Sequence, residues 1–189
     1  MGCQPAQPSF ETVLVMTKTI LTTLGVLTLS IPAQAQAQSL AQRLGTFEVR
    51  RPVDPMTDGP RTYATTTSKT SFPSGLTGSL GWQCLGRQSL SVLFYWGKYF
   101  NAGAGPARVP VRVRFHPDAA EEWEEWSLQP SHKAARMPLS MIVDFTKKAL
   151  ESQTVSVQVK DPVDGEQATI TFDLSGLSTA LDFVMEDCQ

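Results

Sequence analysis

The sequence predicts an α+β fold: a twisted antiparallel sheet, or a β-sandwich, with two covering helices. Two sets of observations carry this. Val109, Val111, Val113 and Phe115 alternate with Pro110, Arg112 and Arg114; Val155, Val157 and Val159 alternate likewise, and Ala168, Ile170, Phe172 and Leu174 return after an Asp164-Gly165 turn. Alternation with period two marks half-buried strands, and Asp-Gly is a hairpin signal. Met141, Ile142, Phe145 and Ala149, and then Leu177, Ala180, Leu181, Val184 and Met185, recur instead at helical spacing.

The chain begins with a segment of a different kind. From Met16, Lys18 supplies a short basic region, residues 20–31 an apolar core, and Ala33-Gln34-Ala35-Gln36-Ala37 two small-x-small cleavage patterns. That is the tripartite pattern of a secretory signal peptide, and the apolar run is shorter than the roughly 20 residues needed to span a bilayer. Residues 1–15 precede the basic region and contain Pro5, Pro8 and Glu11, so Met16 is an alternative start. Ala6 stands where a myristoylation pattern requires Ser or Thr, and Cys3 leaves with the leader. The expected organisation is a cleaved leader, residues 1–37, and one exported globular domain, residues 38–189, without a membrane span.

The full chain has 16 Lys and Arg against 18 Asp and Glu, a net charge of −2. Removal of Lys18 and Glu11 with the leader leaves that balance unchanged. Nothing in it suggests nucleic acid or an anionic membrane as partner. Cys84 and Cys188 remain after cleavage. An even cysteine count in an exported chain predicts a disulfide between them.

Taken in order, residues 38–44 read as an amphipathic lead-in of one or two helical turns, and Phe47-Glu48-Val49-Arg50 as a strand. Pro52, Pro55, Asp58-Gly59 and Pro60 make a loop. Residues 61–70, rich in Thr with Tyr63, suit a partly exposed strand. Residues 81–96 form the centre: two strands around a Gly86-Arg87 turn. Trp82 and Cys84 share a face, Leu90, Val92, Phe94 and Trp96 share a face of the returning strand, and apolar Leu93 and Tyr95 on its far face predict a strand covered on both sides. Residues 101–106 are a glycine-rich connection, and His116-Pro117-Asp118 ends the Val/Arg strand. Residues 121–128 read as either a strand or a helical turn, and residues 129–137 as a loop. Ser140 caps the first helix, which continues to about Leu150, and Lys147 and Lys148 suit its C-terminal end. In the second helix Cys188 continues the apolar stripe, which turns it toward the sheet that holds Cys84.

The sequence contains no Gly-x-Ser-x-Gly, no HExxH and no phosphate-binding glycine loop, so no catalytic residues are assigned. His116, Asp118 and the glutamates of residues 121–125 match no metal-ligand spacing; no metal and no cofactor are expected. Candidate partner-binding residues are Trp123, Trp126, Arg112 and Arg114. Exposed, the two indoles would form a stacking platform; the usual burial of tryptophan favours the core instead. Arg112 and Arg114 share the outer face of their strand, where they either meet an anionic partner or, the favoured reading, pair with nearby glutamates.

In feature order the chain resembles the TagO/VasI family of small periplasmic proteins associated with bacterial type VI secretion. The matching features are Asp58, Cys84-Leu85, Leu93-Phe94-Tyr95-Trp96, Val113-Arg114-Phe115, Trp126-Ser127, and the segment from Phe172-Asp173-Leu174-Ser175-Gly176-Leu177 through Ala180-Leu181 to Cys188. The resemblance spans most of the mature chain and implies the fold and the disulfide more than any activity. The expectation is a non-enzymatic accessory or binding protein, periplasmic or secreted, acting on an envelope protein or a cell-wall component. The alternative is an exported carbohydrate-binding module or hydrolase that uses the Trp123/Trp126 region.

Overall fold

The computed structural model describes residues 41–53, 61–69, 75–85, 89–100 and 108–188, all within one compact unit of the chain. The predicted leader, the proline loop at residues 54–60, the Gly86-Arg87 turn and the connection at residues 101–106 lie outside the described residues.

The described residues form ten strands and two helices. The strands are β1 (Gln42–Leu44), β2 (Phe47–Arg50), β3 (Tyr63–Lys69), β4 (Thr77–Cys84), β5 (Leu90–Tyr95), β6 (Arg108–Phe115), β7 (Glu124–Leu128), β8 (Ala134–Arg136), β9 (Thr154–Lys160) and β10 (Gln167–Asp173). The helices are α1 (Leu139–Glu151) and α2 (Leu177–Glu186). All the strands belong to one antiparallel sheet in the order β1-β2-β3-β4-β5-β8-β7-β6-β9-β10.

Strand parity decides which side chains enter the core. In the β4–β5 hairpin, Leu80 faces Phe94, Trp82 faces Val92 and Cys84 faces Leu90. Val109, Val111, Val113 and Phe115 of β6 and Val155, Val157 and Val159 of β9 are all buried, and the residues between them face outward. Phe94 and Phe172 meet edge to face at 6.1 Å, so the inner sides of β5 and β10 converge although these strands are far apart in sheet order. Thr66 Oγ1 donates to the Asp173 carbonyl at 3.3 Å, tying β3 to the end of β10.

Both helices lie against this inner side. Trp82 Nε1 donates to Thr146 Oγ1 at 3.0 Å, and Phe145 packs 5.8 Å from the Trp82 ring and 5.3 Å from Phe115. α1 therefore links the β4 and β6 regions. α2 buries Leu177, Ala180, Leu181 and Val184 against β2, β3 and β4. Each large apolar side chain buried this way stabilises by about 1.5–3 kcal/mol. The start of α2 meets the β1–β2 turn at very close range. Gly45 and Gly176 have φ of +60° and +89°, and a Cβ on Gly176 would lie 2.3 Å from the Leu44 carbonyl oxygen.

Several local expectations are corrected. Residues 42–44 form a strand, not a helical turn, because Gly45 reverses the chain and pairs Gln42 with Val49. Residues 134–136 are strand β8, not loop: Ala135 is small enough to sit between Phe94 and Leu128. Ser140 does not cap α1; the helix begins one residue earlier, after Pro138, whose fixed φ suits the position. β5 is central, and its outer side is covered only in part: Ser91 is fully buried, Leu93 half-buried and Tyr95 exposed. Met185 falls on the solvent side of α2.

Candidate functional site

The outer side of β6, β9 and β10 carries a polar strip built by register. Arg112 lies opposite Gln158, which lies opposite Thr169; Arg114 lies opposite Ser156, which lies opposite Thr171. Arg112 Nε donates to Gln158 Oε1 at 2.6 Å, and Gln158 Nε2 to Thr169 Oγ1 at 2.9 Å. Arg114 Nε donates to the Asp118 carbonyl at 2.8 Å. Ser156 Oγ hydrogen-bonds to Thr171 Oγ1 at 2.7 Å and to His116 Nε2 at 2.9 Å. A shallow concavity of about 210 Å³ opens over Arg112, Arg114, Ser156, Gln158 and Thr169.

The arginines do not pair with glutamates as expected. Among the described residues no carboxylate lies within ion-pair distance of Arg112 or Arg114. Glu121 is taken by the Lys148 ammonium at 2.5 Å, which holds Lys148 above its ordinary pKa. Arg112 instead places its guanidinium 4.6 Å from the centre of the Trp123 ring, a cation–π contact that fixes the side chain. Each arginine thus spends Nε on a local acceptor, and among the described residues its two terminal nitrogens have no carboxylate partner.

The predicted tryptophan pair is split. Glu124–Leu128 is a strand, so positions three apart fall on opposite faces. Trp126 is fully buried in the core opposite Val109, and only Trp123 reaches the outer side, half-buried beside Arg112. Trp126 is therefore removed from the candidate partner-binding residues.

Cys84 and Cys188 are joined as a disulfide with Cα atoms 5.6 Å apart. The bridge fastens Cys188, two residues beyond α2, to the end of β4. A neighbouring clamp, which has no recognisable sequence motif, reinforces it. The buried Asp187 carboxylate accepts from the Thr62 N–H at 3.1 Å and from the Thr62 hydroxyl, and it pairs with Arg51.

A second concavity, of about 320 Å³, lies beside α1 between Met141, Asp144 and Phe145, and the Lys148–Glu121 pair lines it. Among the described residues, no group of three or more His, Cys, Asp or Glu is arranged to hold a metal ion. Among the same residues no helix is long and apolar enough to cross a membrane.

No protein-family model and no curated protein matches the sequence. A solved structure does match the fold: the crystal structure of invasion associated protein B from Bartonella henselae, with a TM-score of 0.51 over 78% of this chain and 97% of that one. At 11% identity, the chain is similar to that protein in fold alone.

Proposed function

We propose that the chain is a non-enzymatic, exported binding protein of the bacterial envelope, periplasmic or secreted, with an α+β architecture whose recognition surface is the outer side of β6, β9 and β10. The observation that carries this reading is the state of Arg112 and Arg114. Two guanidinium groups held by local contacts line a polar concavity, with no carboxylate partner among the described residues, and form a preorganised recognition surface. Export is supported by the Cys84–Cys188 bridge, since disulfides persist in oxidising compartments, and by the leader-like residues 16–37. Association with a type VI secretion apparatus is the narrower form of the proposal and rests on the TagO/VasI resemblance.

Affinity capture from native envelope and from isolated cell wall tests the proposal, with wild type compared against the Arg112→Gln/Arg114→Gln variant. The expected result is an envelope protein or wall fraction retained by the wild type and lost by the variant. Recovery of secretion-apparatus subunits would support the narrower form. Equal recovery by both proteins would remove the arginine surface from the proposal.

A further inference from the structure

We infer that the strip over β6, β9 and β10 recognises an acidic polysaccharide, one whose sugars carry carboxylates. The inference deepens the binding role proposed above and rests on it. The chemistry required is an anion-recognising fork next to neutral hydrogen-bonding groups, and the strip supplies both. Arg112 and Arg114 are two residues apart on one strand, so their side chains leave the sheet on the same side, separated by roughly 7 Å at the backbone. With Nε engaged by Gln158 Oε1 and by the Asp118 carbonyl, each guanidinium presents its Nη1 and Nη2 end-on. That end is a planar two-donor fork matched to the two oxygens of a carboxylate. Trp123 holds the Arg112 plane by cation–π contact, which lowers the entropy lost on binding.

The neighbours of the forks suit sugar hydroxyls. Ser156, Thr169, Thr171 and Gln158 stand in two rows beside the arginines and combine donors with acceptors. An acidic peptide would need an apolar anchor to bind well, and of the apolar residues lining the concavity Val113 is buried in the core, which leaves only the small Ala120 exposed. Nucleic acid is disfavoured by the net charge of −2, which gives no long-range attraction to a phosphate backbone. Glu125 shares the outer side of the neighbouring strand, but it stands opposite Pro110 and, among the described residues, forms no ion pair with either arginine. It leaves the forks open and adds a repulsive element against a uniformly dense polyanion.

The experiment is isothermal titration of the mature protein with polygalacturonate, neutral dextran, dextran sulfate, poly-glutamate and single-stranded DNA at physiological salt. Polygalacturonate is expected to bind, and dextran is not. Arg112→Gln or Arg114→Gln should weaken binding about tenfold and the double variant about a hundredfold, as expected for charge-assisted hydrogen bonds. Arg→Lys at either position should restore only part of the affinity, because an ammonium lacks the fork. Unchanged circular dichroism and an intact Cys84–Cys188 bridge in each variant exclude unfolding as the cause. Equal binding of polygalacturonate by wild type and double variant would overturn the inference. So would comparable affinity for dextran sulfate, poly-glutamate or DNA, which would mark the strip as a general anion surface. If polygalacturonate fails to bind while the double variant still loses the envelope partner, the acidic-glycan inference falls and the binding role stands.

Discussion

Reducing the Cys84–Cys188 bridge removes a cross-link between residues 104 apart in sequence and changes little else in the native contacts. Asp187 keeps its bonds to Thr62 and Arg51, and α2 keeps its buried face against β2 to β4. The effect should therefore fall mainly on the unfolded chain, which regains the freedom that the closed loop denied it. Loop-closure entropy for that span corresponds to about 4.7 kcal/mol at 25 °C. For a domain of this size the loss translates into a melting temperature lower by roughly 9–19 °C. Urea unfolding followed by tryptophan fluorescence, with and without a phosphine reductant, measures it directly. The reduced protein should also show a larger urea slope, because an uncross-linked unfolded chain exposes more surface. A midpoint shift worth less than about 1 kcal/mol would refute the argument that the bridge acts through the unfolded ensemble. Alkylation of both thiols in unreduced protein would refute the bridge itself.

Gly176→Ala should destabilise by about 2 kcal/mol or more, since alanine is strained at a φ of +89° and its Cβ would strike the Leu44 carbonyl; an unchanged thermal midpoint would contradict that packing. Trp126→Ala should cost about 3–5 kcal/mol as a core truncation, whereas Trp123→Ala should cost far less stability and instead weaken ligand binding through a freed Arg112; comparable stability losses would contradict the assignment of the two indoles to opposite faces. Acid unfolding should report Asp173, whose carboxylate accepts from the Ser175 hydroxyl and backbone N–H and is held below the usual carboxylate pKa. Because the folded value is the lower one, its stabilisation is complete above the unfolded value of about 3.9 and is lost as pH falls through the folded value. Asp173→Asn should flatten that part of the acid limb, and an identical pH slope in the variant would count against the role of these bonds.

Much of the sheet is legible in the sequence because its strands obey parity over seven or eight residues. β6, β9 and β10 follow from alternating valines, isoleucine and phenylalanine, and α1 and α2 from helical spacing. Short strands are not legible in this way. β8 has three residues, Ala134, Ala135 and Arg136, too few to show a period, yet it joins the two halves of the sheet by lying between β5 and β7. β6, β7 and β8 pair in chain order, but the pairing of β5 with β8 depends on tertiary packing rather than on any local signal. Trp123 and Trp126 show the limit from the other side: a spacing of three suits one helical face, and only the strand pairing of β7 with β6 sends them to opposite sides. At the site, the shared face of Arg112 and Arg114 is readable from parity. Their partners Gln158 and Ser156 are not, because they arrive through the register of β6 with β9, more than 40 residues away in the chain.

That register also explains why a glutamate-rich neighbourhood fails to neutralise the arginines. In sequence, Glu121, Glu122, Glu124 and Glu125 follow Arg112 and Arg114 within about a dozen residues, and pairing is the natural expectation. In space, Glu121 is drawn to Lys148 on α1, Glu124 stands opposite Val111, and Glu125 stands opposite Pro110. The position next to Arg112 is filled by the Trp123 indole, which attracts a cation without cancelling its charge. An indole there keeps the guanidinium fixed and its terminal nitrogens open, whereas a carboxylate would saturate them. A protein with a slight negative net charge can therefore present a local cationic surface. Its overall charge balance constrains long-range steering and leaves short-range recognition to the placement of single side chains.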